Sequence, residues 1–378
     1  MEIGVYVHIP FCIKKCYYCD FVSYENKLDM QESYINKVID EIQDNKELLK
    51  NNNITTIYIG GGTPSTINPQ YIEKILDSIF EIANIKNKEN IEITIEVNPG
   101  TATKNNLQMY KNCGINRLSI GLQSTNNRIL KTIGRIHTFE QFLKTYNWSI
   151  EVGFKNINVD LMLGLPTQTI ANLKESLENI INLKQVPNHV SVYSLIIEDG
   201  TPIQKMLNTG NLKIPNEDDE RNQYHYTKNF LELHGYNHYE ISNFAKSGYE
   251  SKHNLNCWKQ KQYVGFGLAA HSYISGIRYA NTSDLSVYLN NISKDIKVVN
   301  ENQTLEDMKK EFMLLGLRML AGISISDFKE KFGENPIYIF RNELQRLVKY
   351  DLLIVDLDSI KLTNKGLDFA NIVWEEFV

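Results

Sequence analysis

Short apolar runs alternate with amphipathic stretches through the first half of the chain, and this alternation predicts consecutive strand–helix units. Six candidate strands stand out: Val5–Ile9, stopped by Pro10, then Ile57–Ile59, Ile91–Val97, Arg117–Leu122, Ile157–Leu161 and Val190–Leu195. Between them apolar residues recur at helical spacing, as in Ile35/Val38/Ile39/Ile42, Ile72/Ile75/Leu76/Ile79 and Leu173/Leu177/Ile180. Repeated units of this kind build a parallel sheet covered by helices, so the expected class is α/β, a partial (β/α)6 barrel over residues 1–215. From about Asn216 the pattern loosens into an aromatic-rich α+β extension, residues 216–304. After Leu305 come a helix through Phe312–Leu315, two shorter helical stretches, and a hairpin of Leu352–Val355 with Ile360–Leu362, the order of a winged helix; this module spans 305–378.

Polar or glycine residues fall at each strand end: a cysteine loop, Gly60–Pro64, Glu96–Pro99, Gln123–Ser124, Asp160 and Ser194. In a parallel barrel all of these converge on the C-terminal face, where such folds build their sites. One polar strand end means little, since a turn or cap also asks for it. Six in step with the repeat predict a site.

Composition changes the picture only by exclusion. The 378 residues are 42% hydrophobic with a formal net charge of -5, enough for a large core and without the excess of positive charge that nucleic acid selects. The C-terminal module has 10 Lys/Arg against 13 Asp/Glu, so its winged-helix order reads as packing or partner binding, not as nucleic-acid binding. No apolar run reaches 18 residues, and Met1–Gly4 leads into a strand without a basic signal region, which sets the expected location as cytoplasmic.

The candidate chemistry lies in Cys12-Ile13-Lys14-Lys15-Cys16-Tyr17-Tyr18-Cys19, which holds three of the five cysteines; Cys113 and Cys257 are the others. Three thiolates can hold three corners of a four-iron cluster and leave the fourth iron open to a small ligand. Structural zinc closes its tetrahedron with four residues, usually two pairs, and no second pair follows at a suitable distance. His8 could supply a fourth ligand, so a zinc site in an interaction protein remains an alternative.

With Tyr6-Val7-His8-Ile9-Pro10-Phe11 before it, the cysteine loop resembles that of the radical S-adenosylmethionine (SAM) superfamily, and Gly60-Gly61-Gly62-Thr63-Pro64 is similar to the glycine-rich motif of that superfamily. The resemblance covers the whole chain. It implies a [4Fe–4S] cluster on Cys12, Cys16 and Cys19, with the amino and carboxylate groups of SAM on the fourth iron. It implies SAM contacts at Tyr6, Gly61, Gly62, Thr63, Glu96, Gln123, Arg135 and Asp160, with Tyr18 and Ser194 as outlying members. By their own chemistry Glu96 and Asp160 suit amine or ribose hydroxyls and Arg135 suits a carboxylate, but each alone reads equally well as a solvated or structural residue. Within the superfamily, Asp160–Pro166 and Ser191–Leu195 resemble the branch that contains oxygen-independent coproporphyrinogen III oxidase and a related haem chaperone. The oxidase binds a second SAM; for this chain the number stays open.

Three features point away from the oxidase. Its fourth cysteine, two residues past the third, is Phe21 here. Its long N-terminal arm has no counterpart in the eleven residues before Cys12. Finally, His253-Asn254-Leu255-Asn256-Cys257-Trp258 resembles the HNxxYW motif linked to haem in the chaperone branch, with Cys257 in the tyrosine place. A neutral imidazole is a common haem ligand, so His253 is the expected one, although a lone histidine among aromatics reads first as a core residue. Cys257 is either a substitute thiolate or a small packing residue. Trp258, Tyr263 and Phe266 are candidates to flank a porphyrin, or simply core. The expected function is haem binding and transfer to acceptor proteins, among them membrane-bound cytochromes, with an electron donor for the cluster and room for a homodimer. No catalytic residue is assigned. SAM cleavage stays open, and oxidative decarboxylation of coproporphyrinogen III is the alternative.

Overall fold

The computed structural model describes residues 1–83, 85 and 87–378. Six parallel strands form its centre: β1 (Glu2–Ile9), β2 (Asn53–Gly61), β3 (Glu92–Val97), β4 (Arg117–Gln123), β5 (Asn156–Leu163) and β6 (His189–Ser194). They lie in sequence order, each joined to the next through a helical crossover. The crossover helices that pack on the sheet include α1 (Gln31–Asp44), α2 (Pro69–Ile82), α3 (Lys104–Cys113), α4 (Phe139–Val152) and α5 (Ile170–Ile181). The expected partial barrel is present.

Period-two alternation explains why the sheet has two unlike faces. Val5/Val7/Ile9, Ile57/Ile59, Ile93/Ile95, Leu118/Ile120/Leu122, Val159/Leu161/Leu163 and Val190/Val192 are buried together with Ile35, Val38, Ile42, Ile72, Ile75 and Leu177 of the helices. The intervening residues point into the barrel, and they are polar: Tyr6/His8, Thr56/Tyr58, Thr94/Glu96, Arg117/Ser119, Asn158/Asp160 and His189/Ser191. Helix packing thus fixes the register, and the register fixes which polar groups share the interior.

Boundaries differ from the sequence reading where polar residues sit inside a strand. β2 begins at Asn53 because Thr56, paired with Gly4, carries the ladder as well as an apolar residue would, with Thr55 bulged out between the pairs of Ile54 and Thr56. β5 runs on to Leu163, which leaves Asp160 mid-strand instead of at the end, opposite Gly121 and Ser191.

The segment 216–304 extends the same sheet at both edges. After α6 (Glu217–Leu233), β7 (Asn237–Glu240) and β8 (Asn243–Ala245) add antiparallel strands beside β6. The short α7 (Lys252–Trp258) follows. β9 (Tyr263–Phe266) then returns parallel to β1, and β10 (His271–Ile274), β11 (Ile277–Asn281) and β12 (Lys297–Asn302) continue antiparallel. The full order is β12-β11-β10-β9-β1-β2-β3-β4-β5-β6-β8-β7.

Residues after 304 have their own core, with Phe312, Phe328, Phe332, Phe340, Leu347 and Phe377. They comprise α8 (Leu305–Gly316), α9 (Ile325–Phe332), α10 (Arg341–Lys349) and a three-stranded sheet of Ile323–Ser324, Ser359–Leu362 and Leu353–Val355. This module joins the barrel where Met319 bridges Glu240 and the guanidinium of Arg318 lies 4.3 Å from the Trp258 ring and 5.0 Å from the Trp374 ring.

Candidate metal and cofactor centre

The cysteine loop leaves β1 at Pro10 and is held from three sides. Phe11–Cys12 pairs with Tyr24–Glu25. The Tyr17 amide donates to Ile133 O at 3.0 Å, and the Ile203 amide to Tyr17 O at 3.0 Å. His8, inside the barrel, accepts from Tyr6 Oη at Nδ1 (3.0 Å) and donates from Nε2 to Val22 O (2.8 Å), tying the far end of the loop to β1. Both ring nitrogens are thereby engaged, so His8 is not aimed at the thiols as a fourth zinc ligand. Among the described residues no three His, Cys, Asp or Glu groups are gathered tightly enough for one ion.

The three thiols instead spread around one cavity of about 540 Å3, with Gly61, Gly62, Thr63, Glu96, Gln123, Arg135, Asp160, Tyr18 and Ser194 in the same wall. Of the residues expected at the SAM site only Tyr6 is not on that wall. It lies one strand away, its ring stacked 6.3 Å from that of Tyr58, which does line the cavity. Spread thiols suit a multi-iron cluster, in which each corner iron takes one sulfur. Burial pushes the Cys12 thiol up and the Cys19 thiol up to about 11, so ligation by iron must displace their protons. Thr63 Oγ1 lies 3.5 Å from Cys12 Sγ and opposes the rise there, and Arg135 Nη1 donates to Cys16 Sγ at 3.5 Å.

Glycine is required at the motif for closeness. A Cβ on Gly62 would stand 2.9 Å from Phe11 O and 3.0 Å from Cys12 Sγ, and Gly61 has φ +117° with His8 against the place of its Cβ. The amides here are committed within the protein: Gly61 to Glu96 Oε2 (3.2 Å), Gly62 to Ile9 O (2.9 Å) and Thr63 to Phe11 O (2.9 Å). The run therefore clamps β2 to the cysteine loop instead of offering free donors.

Glu96 also accepts from Tyr58 Oη (2.9 Å), and burial raises its carboxyl to about 7. Asp160 accepts from Asn158 Nδ2 (2.7 Å) and Ser119 Oγ (3.3 Å), and burial raises its carboxyl as well. Gln123 is placed by a bulge in β4, with φ +69°. Arg135 donates from Nη2 to Asn98 Oδ1 (2.9 Å) and to Gly121 O. Two carboxylates, an amide and a guanidinium thus border the thiols, a donor and acceptor set matched to an amino acid joined to a nucleoside. Tyr58, Asn98, Ser119 and Tyr193 share this wall and were not singled out in the sequence. Their signal is the period-two polar face, with Tyr58 between Ile57 and Ile59.

His253 lies elsewhere. It is 8% exposed, its Nδ1 is 2.9 Å from Thr56 Oγ1, and its ring is 5.2 Å from that of Tyr58. Thr56 is five residues before Gly61, so His253 closes the opposite end of the barrel, roughly 16 Å along β2 from the glycine clamp. Burial lowers its pKa to about 4, which keeps the imidazole neutral. The amides of Lys252 and His253 both donate to the Glu92 carboxylate at 3.1 Å. Cys257, a turn later, has its thiol raised to about 11 by burial. Phe266 is part of the barrel core, and Tyr263 Oη accepts from Arg278.

Residues 6–180 match the model of the radical SAM superfamily, and residues 303–369 that of the HemN C-terminal domain. The haem chaperone HemW of Lactococcus lactis is 37% identical over 99% of this chain and 97% of its own length. That of Bacillus subtilis is 35% identical over 99% of both. Among solved structures, coproporphyrinogen III oxidase HemN from Escherichia coli, a radical SAM enzyme, superposes with a TM-score of 0.85 over 100% of this chain and 90% of its own at 23% identity, a likeness of fold.

Proposed function

The chain belongs to the HemW haem chaperone family of the radical SAM superfamily, and from that premise we propose that it binds haem and hands it to acceptor proteins while carrying a SAM-coordinated [4Fe–4S] cluster. The cluster would sit on Cys12, Cys16 and Cys19. Glu96, Gln123, Arg135 and Asp160 would hold SAM through their side chains, with Gly61, Gly62 and Thr63 forming the close wall against it, Tyr18 and Ser194 at its margin and Tyr6 acting through Tyr58. When bound, this pair supplies one-electron cleavage of the SAM sulfonium. The protein's part is to orient SAM through Glu96 and Asp160, to neutralise its carboxylate with Arg135, and to seat the thiols.

The observation that carries the chaperone reading over the oxidase one is Phe21. It is 64% exposed at the cavity rim, in the place where the oxidase has its fourth cysteine. An apolar ring at that mouth cannot ligate a second cluster or metal, and so exposed it suits contact with a partner protein. His253 is our candidate haem ligand. Its burial means that haem reaches it only when α7 leaves its seat on Glu92. The chain divides as 1–215, 216–304 and 305–378, the last offering a surface to acceptors such as membrane-bound cytochromes. An electron donor and a second copy of the chain complete the partners in this reading. No helix among the described residues is long and apolar enough to cross a membrane, so a membrane-bound acceptor would be met at a surface.

Titration with haem, followed in the Soret band, tests the ligand. His253→Ala should weaken binding at least about tenfold, the loss expected of an axial bond, while iron and sulfide of the cluster stay unchanged. Unaltered spectra and affinity would move the ligand elsewhere.

A further inference from the structure

An unbroken chain of hydrogen bonds runs from the cluster-side cavity to the helix that carries His253. The Ser251 amide, at the cap of α7, donates to Tyr239 Oη at 3.2 Å. Tyr239 Oη lies 2.8 Å from His189 Nε2, and His189 Nδ1 lies 2.6 Å from Asn158 Oδ1. Asn158 Nδ2 donates to Asp160 Oδ1 at 2.7 Å. Asn158 and His189 are fully buried on facing strands, in register with each other. Asp160 fixes the direction from its end, because a carboxylate only accepts: Asn158 Nδ2 donates to it, Asn158 Oδ1 accepts from His189 Nδ1, and burial keeps His189 neutral so that Nε2 accepts. Tyr239 therefore gives its proton to Nε2, His189 is the neutral tautomer with hydrogen on Nδ1, and every donor points towards Asp160. Aligned bonds in a dry interior polarise one another, so a change at either end is felt along the row. Asn158 has no spare group: Nδ2 also donates to Ser119 Oγ at 2.8 Å and Oδ1 also accepts from Ser191 Oγ at 3.1 Å.

A second contact joins the same two places. Tyr58 donates to Glu96 on the cavity side, and its ring lies against His253 on the other.

We propose that Asn158, His189 and Tyr239 are positioning residues that hold Asp160 for SAM and, through Ser251, link occupancy of that cavity to the seating of α7. The linkage has a sign. A ligand that fixes Asp160 fixes the row, which holds α7 down and His253 under cover; SAM and haem then oppose one another, and each lowers the affinity of the other. The haem half rests on the reading that His253 is the haem ligand. The SAM half does not.

The test uses the full chain with its cluster reconstituted anaerobically and left oxidised, so that added SAM is bound and not cleaved. Amide hydrogen exchange of residues 251–258 should slow about three- to tenfold when SAM is added, as for a helix whose local opening is suppressed. Tyr239→Phe removes one hydroxyl and keeps the ring. It should bind SAM about three- to tenfold more weakly, the loss of a buried hydrogen bond, and should lose the protection of 251–258. Its iron content and far-UV spectrum should match the wild type. In the wild type, haem affinity should fall several-fold with SAM present. SAM that protects strands around the cavity but leaves 251–258 unchanged would overturn the proposal, and that result needs no variant to fold. So would a Tyr239→Phe protein with wild-type SAM affinity and protection. A wild type that binds no haem would sink the chaperone reading alone, because the exchange and SAM measurements still judge the row.

Discussion

Among single residues, Glu96 carries the sharpest pH consequence. Its carboxyl is raised to about 7, chiefly by burial, with Asp160 adding to the rise and the Tyr58 and Gly61 bonds opposing it. A folded pKa above the unfolded one, 4.5, means that its contribution to stability is fully present below the unfolded value and is lost as pH rises through about 7. The ligand-free protein should lose stability across that window, and Glu96→Gln should flatten the loss in urea titrations at several pH values. SAM binding should go the other way, since its cationic amino acid end favours the carboxylate. Affinity should fall about tenfold between pH 8 and pH 6, and Glu96→Gln should remove that dependence. Glu96 was legible in the sequence because a polar group at the end of an apolar strand stands out, and Asp160 because its strand reads there as stopping just after it, although β5 runs on to Leu163. Tyr58, Asn158 and His189 were not, because a polar residue inside a strand also fits a solvated sheet face. Only the closing of the barrel turns that face inward and makes its members partners.

At the scale of elements, the six βα units were legible from periodicity, since each strand and each helix announces itself within a few residues. The growth of the sheet past them was not. β9 pairs with β1 across more than 250 residues, and β7 and β8 are too short to show alternation. A buried carboxylate holds this extension in place. Glu41 of α1 accepts from the Gly267 amide (2.9 Å), Tyr288 Oη (2.8 Å) and Asn281 Nδ2 (2.7 Å), and burial raises its carboxyl. Its spacing from Tyr34 and Val38 puts it on the buried face of α1, but an acidic residue there reads first as the solvated edge of that face. Glu41→Ala leaves the buried Gly267 amide and Tyr288 hydroxyl without an acceptor, while Asn281 Nδ2 keeps only Gly267 O, and should cost about 2 kcal/mol or more in denaturant unfolding, with Glu41→Gln costing less. Equal stability of the alanine variant would mean that the extension is held by its apolar contacts alone.

For the molecule as a whole, the barrel sets two chemistries at its two ends. The thiols and carboxylates gather at the C-terminal ends of the strands, and α7 with His253 plugs the other end. The C-terminal module grips α7 at its far end through Arg318 and Trp258. This layout suits a carrier whose cargo site opens and closes under control of a cofactor site. Haem transfer itself is open to one decisive experiment. Protein with an intact cluster is loaded with haem, mixed with an apo-haem protein, and followed by the movement of the Soret band; a parallel sample, reduced and supplied with SAM, receives coproporphyrinogen III. Haem should pass to the acceptor, and no vinyl product or carbon dioxide should form. Turnover of coproporphyrinogen III without haem transfer would contradict the chaperone reading and make the chain a decarboxylase.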